Sequence, residues 1–323
     1  DPGAGRVVLM GQILVDRVLQ GARPIHGGGS EWARDGGTHV GGGFNALVAA
    51  RRMGAEAISL SPIGAGPHAS MIEAALAREG IVDAGPRVDG VDNGFCVAMI
   101  GHDAERTFIS TKGAETMTPE TAWADFVRTM NPGDVLYIDG YLMDHPANRE
   151  AAEAALRVLP EGVRVLLDVS PVIGIPESLP AHHAIISMNS VEARAIAKQS
   201  RLDGYLPFDS LSCRLAQTLG CDTLIRLGAS GAYFARYASP DSKTSAAQIP
   251  TPTVDAVDTN GAGDAHTGVL AASLALGIPL ERGLVLANCA GALASTVPGP
   301  ASCPTREDIE AAADALAADA AAE

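Results

Sequence analysis

The segment of residues 257–276 constrains the fold and chemistry of this chain more than any other. An apolar, β-branched stretch ends at Asp258, a turn of small residues follows, and a helical pattern then runs on to Leu276. Residues 261–263, Gly-Ala-Gly, carry little side chain, so their backbone N–H groups can approach a ligand closely. These groups lie at the start of the predicted helix, where unpaired donors and the helix dipole favour an anion. Asp264 adds a carboxylate beside that predicted anion site.

An anion site with an adjacent carboxylate suits phosphoryl transfer to a hydroxyl group. The backbone donors would stabilise the charge on the transferring phosphoryl group, and Asp264 would accept the proton of the hydroxyl. The alternative is structural: Asp258 and Asp264 only cap a helix, and the glycines only form a turn. Motifs this short also occur by chance, so the segment alone leaves both interpretations open.

The run Asp-Thr-Asn-Gly-Ala-Gly-Asp at 258–264 resembles the C-terminal signature of the ribokinase-like (PfkB) sugar and nucleoside kinases. The resemblance implies that Asp264 is the catalytic base and that the backbone of Gly261, Ala262 and Gly263 forms the anion hole. Asn260 stands where threonine is commoner in that family, and His266 stands where an aromatic residue is frequent. Neither departure involves the base or the glycines, so both bear on substrate detail rather than on the reaction.

A second glycine-rich segment leads into a helix at Gly42, Gly43 and Asn45, and it resembles the N-terminal signature of the same family. The resemblance implies that the glycines let the backbone contact a sugar and that Asn45 donates to a hydroxyl. Asp16 follows a first predicted strand over Arg6–Leu14, and open α/β sheets bind ligands at the carboxyl ends of their strands. An Asp at this place hydrogen-bonds sugar hydroxyls in the family. Without the resemblance, these residues would be interpreted as solvated loops.

The pattern of elements predicts an α/β fold. From Thr118 onward, strand-like runs alternate with helical patterns, which indicates a mainly parallel sheet with helices on both faces. Residues 94–110 instead alternate between apolar and polar, as in an antiparallel hairpin, and the glycine-rich segment Gln20–Val40 is its expected sheet partner. The resemblance implies a single ribokinase-like domain over residues 1–323, a three-layer sandwich with a small β-sheet lid. The lid would comprise residues 15–40 and 94–112.

Two further aspartates, Asp139 and Asp168, lie at the predicted carboxyl ends of strands. Family members often have an acidic or small residue in contact with the sugar near the first of these positions. The resemblance therefore makes Asp139 the candidate substrate contact of the pair.

The expected nucleotide site is also carried by the resemblance. Asn189 and Glu192 match the Asn-x-x-Glu motif that organises Mg²⁺, usually through water, and the ATP phosphates; oxygen ligands with retained water suit that ion. The same residues would fit an ordinary helix start, with Ser190 as its cap and Glu192 in the first turn. Gly228 and Gly231 match a Gly-x-x-Gly loop that contacts ATP phosphates.

Arg226 stands where the family usually has a threonine before that loop. It would either bind phosphate through its forked guanidinium or form an ordinary ion pair, and the acidity of the chain favours phosphate. The resemblance places Asn288 near the adenine. It also makes Asp258 the side-chain candidate for a monovalent-cation site, which could hold K⁺. The implied cofactors are thus ATP and Mg²⁺.

Composition excludes several partners. The formal charge of −15 and the pI near 4.9 argue against nucleic acid or an anionic membrane. No apolar run reaches the about 18 residues of a membrane helix, and there is no signal-peptide pattern.

Five scattered cysteines without a Cys-x-x-Cys motif predict reduced thiols in a cytoplasmic protein. An apolar lid face with Phe95, Val97 and Met99 predicts homodimers through the lid.

The sequence therefore predicts ATP-dependent phosphorylation of a hydroxymethyl group on a small sugar or sugar-like molecule. One alternative is a nucleoside kinase of the same fold, which a scarcity of aromatic residues near the N-terminal site disfavours, because bases stack on aromatic surfaces. Another is a catalytically silent sugar- or nucleotide-binding regulator, which the intact Asp264 and its glycines disfavour. A Rossmann oxidoreductase is disfavoured because no Gly-x-Gly-x-x-Gly follows the first strand.

Overall fold

The first strand is buried on both faces of a sheet. Val7 and Leu9 pack into one apolar cluster and Val8 and Met10 into another, as expected for a strand inside a parallel sheet that is covered by helices on both sides. The computed structural model describes residues 4–21, 30–100, 106–179, 184–299 and 302–322.

The strands in chain order are β1 (Arg6–Met10), β2 (Ile13–Gln20), β3 (Arg34–Gly42), β4 (Glu56–Ser59), β5 (Val82–Asp83), β6 (Phe95–Ile100), β7 (Arg106–Ser110), β8 (Val135–Asp139), β9 (Arg164–Asp168), β10 (Ile185–Asn189), β11 (Asp222–Arg226), β12 (Ala232–Ala235) and β13 (Ala246–Ile249). The helices are α1 (Phe44–Arg52), α2 (Pro67–Arg78), α3 (Ala122–Val127), α4 (Pro146–Leu156), α5 (Ser190–Gln199), α6 (Phe208–Leu219), α7 (Ala262–Ala275), α8 (Leu280–Ala294) and α9 (Arg306–Ala322).

Nine of the described strands form one sheet in the order β13-β12-β11-β10-β9-β8-β1-β4-β5. Its pairs are parallel from β11 to β5, and β12 and β13 add an antiparallel edge. Helices α1, α2, α7, α8 and α9 pack on one face, and α3, α4, α5 and α6 pack on the other. The expected three-layer α/β architecture is therefore confirmed.

A smaller sheet of four strands has the order β3-β2-β6-β7. The hairpin of β6 and β7 is antiparallel as predicted, and β2 joins it in parallel while pairing with β3 on its other edge. The small second sheet expected from the alternating patterns is thus present. The parts of the predicted lid at 22–29 and 101–105 lie outside the described residues.

One local prediction was wrong. The expected single strand Arg6–Leu14 is broken at Gly11, and its two halves belong to different sheets. The break arises because the Asp139 carboxylate lies against Gly11, where a Cβ would be only 1.9 Å from Oδ2, and accepts the next backbone N–H. Residues 250–258, before α7, form irregular backbone.

Close packing of α1 against α7 brings the starts of these two helices together. Gly268 allows the approach, since a Cβ there would lie 2.2 Å from the carbonyl oxygen of Ala46. Helix α7 is buried from Ala265 to Ala275. None of the described helices combines the length and apolarity that crossing a bilayer requires.

Candidate active site

The turn before α7 forms as the sequence predicted. Gly261 adopts a left-handed backbone conformation with φ of +76°, which favours glycine, and α7 begins at the next residue. The first N–H groups of a helix have no acceptor within it, so this turn presents donors and the positive end of the helix dipole. The turn therefore offers the backbone donors that an anion would require.

Asp264 lies in the first turn of α7 and is half-buried. The side-chain amide Nδ2 of Asn45, at the start of α1, donates a hydrogen bond of 3.2 Å to Asp264 Oδ2. Burial raises the pKa of Asp264 to about 7, and the Asn45 hydrogen bond and the charge of Arg226 partly oppose that shift. A carboxylate with this pKa can accept a proton near neutral pH.

A cavity of about 310 Å³ lies where the small sheet meets the carboxyl ends of β1, β8 and β9. These ends adjoin the point where the large sheet reverses strand order, at which α/β proteins bind ligands. Its lining contains Gln12, Leu14, Asp16, Gly42, Gly43, Asn45, Cys96, Phe108, Ser110, Tyr137, Asp139, Tyr141, Asp168, Ser170, Asn260 and Asp264. All five predicted substrate residues are therefore together with the predicted base.

Asp16 lies on β2, opposite His39 of β3 and Cys96 of β6. Its carboxylate lies against Gly41, where a Cβ would be 2.0 Å from Oδ2. Burial raises the pKa of Asp16 to about 6, while the nearby His39 lowers it. Gly42 follows with φ of +66°, so the glycine run is required both for space and for backbone conformation.

Asp139, at the end of β8, is bonded to the backbone on two sides. Its Oδ2 accepts the Gln12 N–H at 2.5 Å, and its Oδ1 accepts the Leu142 N–H at 3.2 Å. Burial raises the pKa of Asp139 to about 7, although these backbone hydrogen bonds lower it. Asp139 thus holds the end of β1 in place while lining the cavity.

Asp168 is more central than the sequence indicated. It is the register partner of Asp139 on the neighbouring strand, and it forms a two-pronged ion pair with Arg226 at 2.9 and 3.2 Å. The Thr267 hydroxyl of α7 also donates to Asp168 Oδ2, at 2.8 Å. The only sequence signal was that both charged residues end strands, and their proximity depends on the strand order.

Arg226 also contacts the predicted anion site, on the side of the Gly263 carbonyl group. Its Nη1 lies 3.4 Å from the carbonyl oxygen of Gly263, and its Nη2 lies 3.8 Å from Glu192 Oε2. Of the two interpretations left open by the sequence, the ion-paired arrangement is the one seen in the structure. The guanidinium nevertheless places its charge next to the predicted phosphate site.

The start of α5 is a capping box. Asn189 Oδ1 accepts the N–H groups of Val191 and Glu192 at 2.9 Å each, and Glu192 Oε2 accepts the Asn189 N–H at 2.6 Å. The cap is therefore Asn189, not Ser190 as expected, because the residue before the first helical residue has the extended backbone that capping requires.

A shallow cavity of about 450 Å³ separates α5 from the loop that contains Gly228 and Gly231. Both glycines have positive φ, of +56° and +79°. The walls include Ser190, Val191, Leu227 and Ser230. The Asn-x-x-Glu and Gly-x-x-Gly segments thus border one opening through Ser190, Val191 and Ser230.

Asn288 and Asp258 both connect loops. The Asn288 amide donates to the carbonyl oxygens of Ile249 and Pro250 at 3.1 and 2.9 Å, and its oxygen lies 3.1 Å from His266 Nε2. Asp258 accepts the N–H groups of Asn260 and Gly299 at 2.9 and 3.1 Å. Asn288 therefore shapes the loop after β13, and Asp258 joins the turn before α7 to the loop after α8.

Metal binding by the protein alone has no support in the described part of the chain, where no three His, Cys, Asp or Glu side chains cluster as a metal site would need. The capping bond and the Arg226 contact of Glu192 both use Oε2. Its Oε1 therefore remains for a water molecule of a hydrated metal ion. A single carboxylate of this kind suits an ion that retains water and is held mainly by phosphate.

The expectation of few aromatic residues near the N-terminal site was wrong. Phe108, Tyr137 and Tyr141 all line the cavity, and Phe108 and Tyr141 are 60% and 51% exposed. They come from β7, from β8 and from the turn after β8, so only the tertiary fold brings them together. Sequence reasoning also missed Gln12, which lay inside the predicted strand Arg6–Leu14 and gave no other signal.

The chain is similar to known kinases over nearly its whole length. It is 31% identical over 310 residues to the uncharacterized sugar kinase YegV of Escherichia coli K12, covering 94% of this chain and 92% of that protein. The crystal structure of a ribokinase from Thermotoga maritima matches 95% of the chain and 98% of its own, with a TM-score of 0.79 and 20% identity. The structure of a ribokinase of Arabidopsis thaliana, solved with ribose and ATP, covers 96% of this chain and 99% of its own chain, with a TM-score of 0.76 and 23% identity.

The sequence pattern that describes the pfkB family of carbohydrate kinases matches residues 5–307. With the fold and the full-length relative, this match confirms the resemblance seen in the two glycine-rich signatures. The chain belongs to the pfkB family and is a carbohydrate kinase.

Proposed function

We propose that this kinase transfers the γ-phosphoryl group of ATP to a hydroxymethyl group of a small sugar or sugar-like molecule, with Asp264 as general base. The observation that supports this most directly is the position of Asp264. It lies beside the donor-rich start of α7 and also lines the polar cavity. One residue can thus contact both the acceptor and the transferring group.

In the proposed reaction, Asp264 takes the proton of the acceptor hydroxyl as the oxygen forms a bond to the γ-phosphorus. The bond between that phosphorus and the bridging oxygen breaks, and ADP leaves with the electron pair. The backbone N–H groups at Gly261, Ala262 and Gly263 stabilise the charge on the phosphoryl oxygens. Asn45 orients the base through its hydrogen bond to Oδ2.

The acceptor contacts that we propose are the polar groups around the same cavity. They are Asp16, Gly42, Gly43, Asn45 and Asp139. The small sheet, within a single domain, acts as a lid whose closure excludes water and limits ATP hydrolysis.

For ATP, we propose contacts from the opening between α5 and the glycine loop. Asn189, Glu192, Gly228 and Gly231 contact the phosphates, and Asn288 shapes the loop beside the adenine. Arg226 contributes positive charge behind the Gly263 carbonyl while remaining paired with Asp168.

Two ions complete the proposal. Glu192 holds Mg²⁺ through water, and the ion neutralises phosphate charge when ATP is bound. A monovalent cation, K⁺, lies near Asp258, where the turn before α7 and the loop after α8 are tied together.

We further propose a cytoplasmic homodimer that associates through the lid. The five cysteines are free thiols, which fits a reducing compartment. Phe95, Val97 and Met99 alternate along β6 with Cys96, which lines the cavity, so they lie on the opposite face of the small sheet. Ile109 of β7 pairs with Val97 and is 59% exposed.

The test is ADP release with Mg-ATP across pentoses, hexoses and nucleosides, with Asp264→Asn beside the wild type. We expect one acceptor class to support turnover, and the variant to lose about 10²–10⁴ in rate. Turnover that survives in Asp264→Asn would show that another group is the base. Tight sugar or ATP binding without turnover would favour the silent regulator.

A nucleoside acceptor is a second candidate because two aromatic side chains, Phe108 and Tyr141, border the cavity and are largely exposed. Such surfaces can stack on a planar base. If the base stacks on Phe108, we expect Phe108→Ala to weaken the binding of nucleosides more than the binding of free sugars. Equal losses of affinity for free ribose and for a riboside would exclude this stacking contact.

A further inference from the structure

The polar lining of the acceptor cavity is dominated by oxygen acceptors. Four aspartates line it, and none of its lining side chains within the described ranges is lysine, arginine or histidine. Asp168 is neutralised by Arg226, which is thereby committed to an internal ion pair. Asp16, Asp139 and Asp264 thus face the cavity with no cationic side chain beside them in its lining.

The pKa values of these three aspartates reflect the same environment. Burial raises each of them, to about 6 for Asp16 and to about 7 for Asp139 and Asp264. A site that already disfavours its own negative charges would disfavour a carboxylate or phosphate on the acceptor still more, because like charges repel strongly in a desolvated site.

Gln12 supplies the complementary donor. Its backbone is fixed on both sides, since its N–H donates to Asp139 Oδ2 at 2.5 Å and its carbonyl oxygen accepts the Gly43 N–H at 2.9 Å. Its side chain lines the cavity, and the residue is only 4% exposed. The amide Nε2 is buried and has no partner among the described residues. Leaving such a donor unpaired is unfavourable, which points to a ligand atom as its partner.

Asn45 presents the opposite requirement. Its Nδ2 is used by Asp264, while its Oδ1 is buried and lacks a donor among the residues that the structure describes. The cavity therefore offers the buried amide donor of Gln12 and several acceptors. Hydroxyl groups satisfy both because each donates and accepts, whereas a carboxylate or phosphate group only accepts.

We infer that the acceptor is an uncharged polyhydroxylated molecule and that the Gln12 side-chain amide is one of its specificity-determining contacts. The inference rests on the proposed function only in assigning this cavity to the acceptor. It excludes sugar acids and sugar phosphates as preferred substrates, including those that carry a free hydroxymethyl group.

Matched compounds test this directly. The pairs are ribose with ribose 1-phosphate, fructose with fructose 6-phosphate, and glucose with gluconate, and every member retains a hydroxymethyl group. Binding is measured by calorimetry without ATP, and ADP release is measured separately. We expect the neutral member of the pair that binds best to be favoured by at least about 100-fold. We expect Asp16→Asn to reduce that preference.

Two variants test the residue. Gln12→Leu removes the amide at similar size, and Gln12→Glu keeps the shape but replaces the donor with an acceptor. We expect each to raise KM for the neutral acceptor by about tenfold or more, with a smaller change in kcat. Gln12→Leu should not lower the melting temperature, because it removes a buried polar group that has no partner in the described part of the chain. Normal KM values in both variants would remove Gln12 from the contact set.

The outcomes separate this inference from the kinase assignment. If neutral sugars bind and their anionic partners do not, but no ADP forms, the inference holds and the proposed reaction fails. If ADP forms and an anionic member is preferred, the reaction holds and the inference is wrong. A panel in which no neutral compound binds also contradicts the inference.

Discussion

Asp264 shows how much chemistry depends on the surroundings of one carboxyl group. In water this group would have a pKa near 3.8 and would be a weak base. Burial raises its pKa to about 7, while the hydrogen bond from Asn45 lowers it. The residue that holds the base in place therefore also limits how far its pKa rises.

This balance predicts a pH dependence. Asp264 must be deprotonated to act, so kcat/KM should be constant above about pH 8 and should fall about tenfold per unit below about pH 6. Asn45→Ala removes a contact that lowers the pKa, so the acid limb should shift to higher pH. The measurement is the pH profile of kcat/KM in both proteins, with Ser170→Ala as a control at another cavity position. A limb near pH 4 in the wild type would contradict this assignment.

At the scale of elements, the site depends on how strand ends and helix starts are brought together. The Arg226–Asp168 pair joins the ends of β11 and β9, and the Thr267 hydroxyl adds α7. The guanidinium reaches the Gly263 carbonyl from behind, so one ion pair connects the sheet to the anion site. A direct phosphate ligand would not need these internal partners.

The two roles of Arg226 give different results on substitution. As an internal partner, Arg226→Met should leave Asp168 buried and unpaired, and it should lower the free energy of unfolding by about 3 kcal/mol. Adding Asp168→Asn should recover most of that stability. As a direct phosphate ligand, Arg226→Met would instead raise KM for ATP with little loss of stability. Denaturant unfolding and initial rates of the single and double variants distinguish the two.

The small sheet supports a different prediction. Ile109 lies on its outer face, and Phe108 lies on the face that lines the cavity. If the outer faces associate, Ile109→Glu should convert dimers to monomers in light scattering and leave kcat unchanged. Val82→Glu is a matched control, because Val82 is an exposed β-branched residue on β5, which belongs to the large sheet. A wild-type protein that is monomeric at working concentration would contradict the dimer.

For the whole molecule, local chemistry was predictable and long-range contact was not. Gly261 and Asp264 were singled out because a helix start determines its own donors and first-turn charge, and because residues 258–264 resemble the family signature. The contacts of Gln12 with Asp139 and of Asp168 with Arg226 depend on which strands are neighbours, and residue spacing does not encode that order. The aromatic residues of the cavity were missed for the same reason, since they come from separate elements.

The partly buried aspartates of the cavity have a consequence for the stability of the protein in the absence of substrate. A carboxyl group whose pKa is raised by folding contributes stability below its unfolded pKa, and that contribution is lost as pH rises through the folded value. For Asp264 this window runs from about pH 4 to about pH 7. His266, whose pKa burial lowers to about 3, has the opposite pH dependence, so the effect is isolated by comparing wild type with Asp264→Asn at each pH.

We expect the Asp264→Asn enzyme to melt at a higher temperature than wild type, by a margin that widens from about pH 5 to about pH 8. A bound acceptor would offset this loss of stability by mass action. Substrate should therefore protect the wild type from proteolysis. If Asp264 is the base, the carboxyl group on which the proposed reaction depends also makes the substrate-free enzyme less stable above about pH 7.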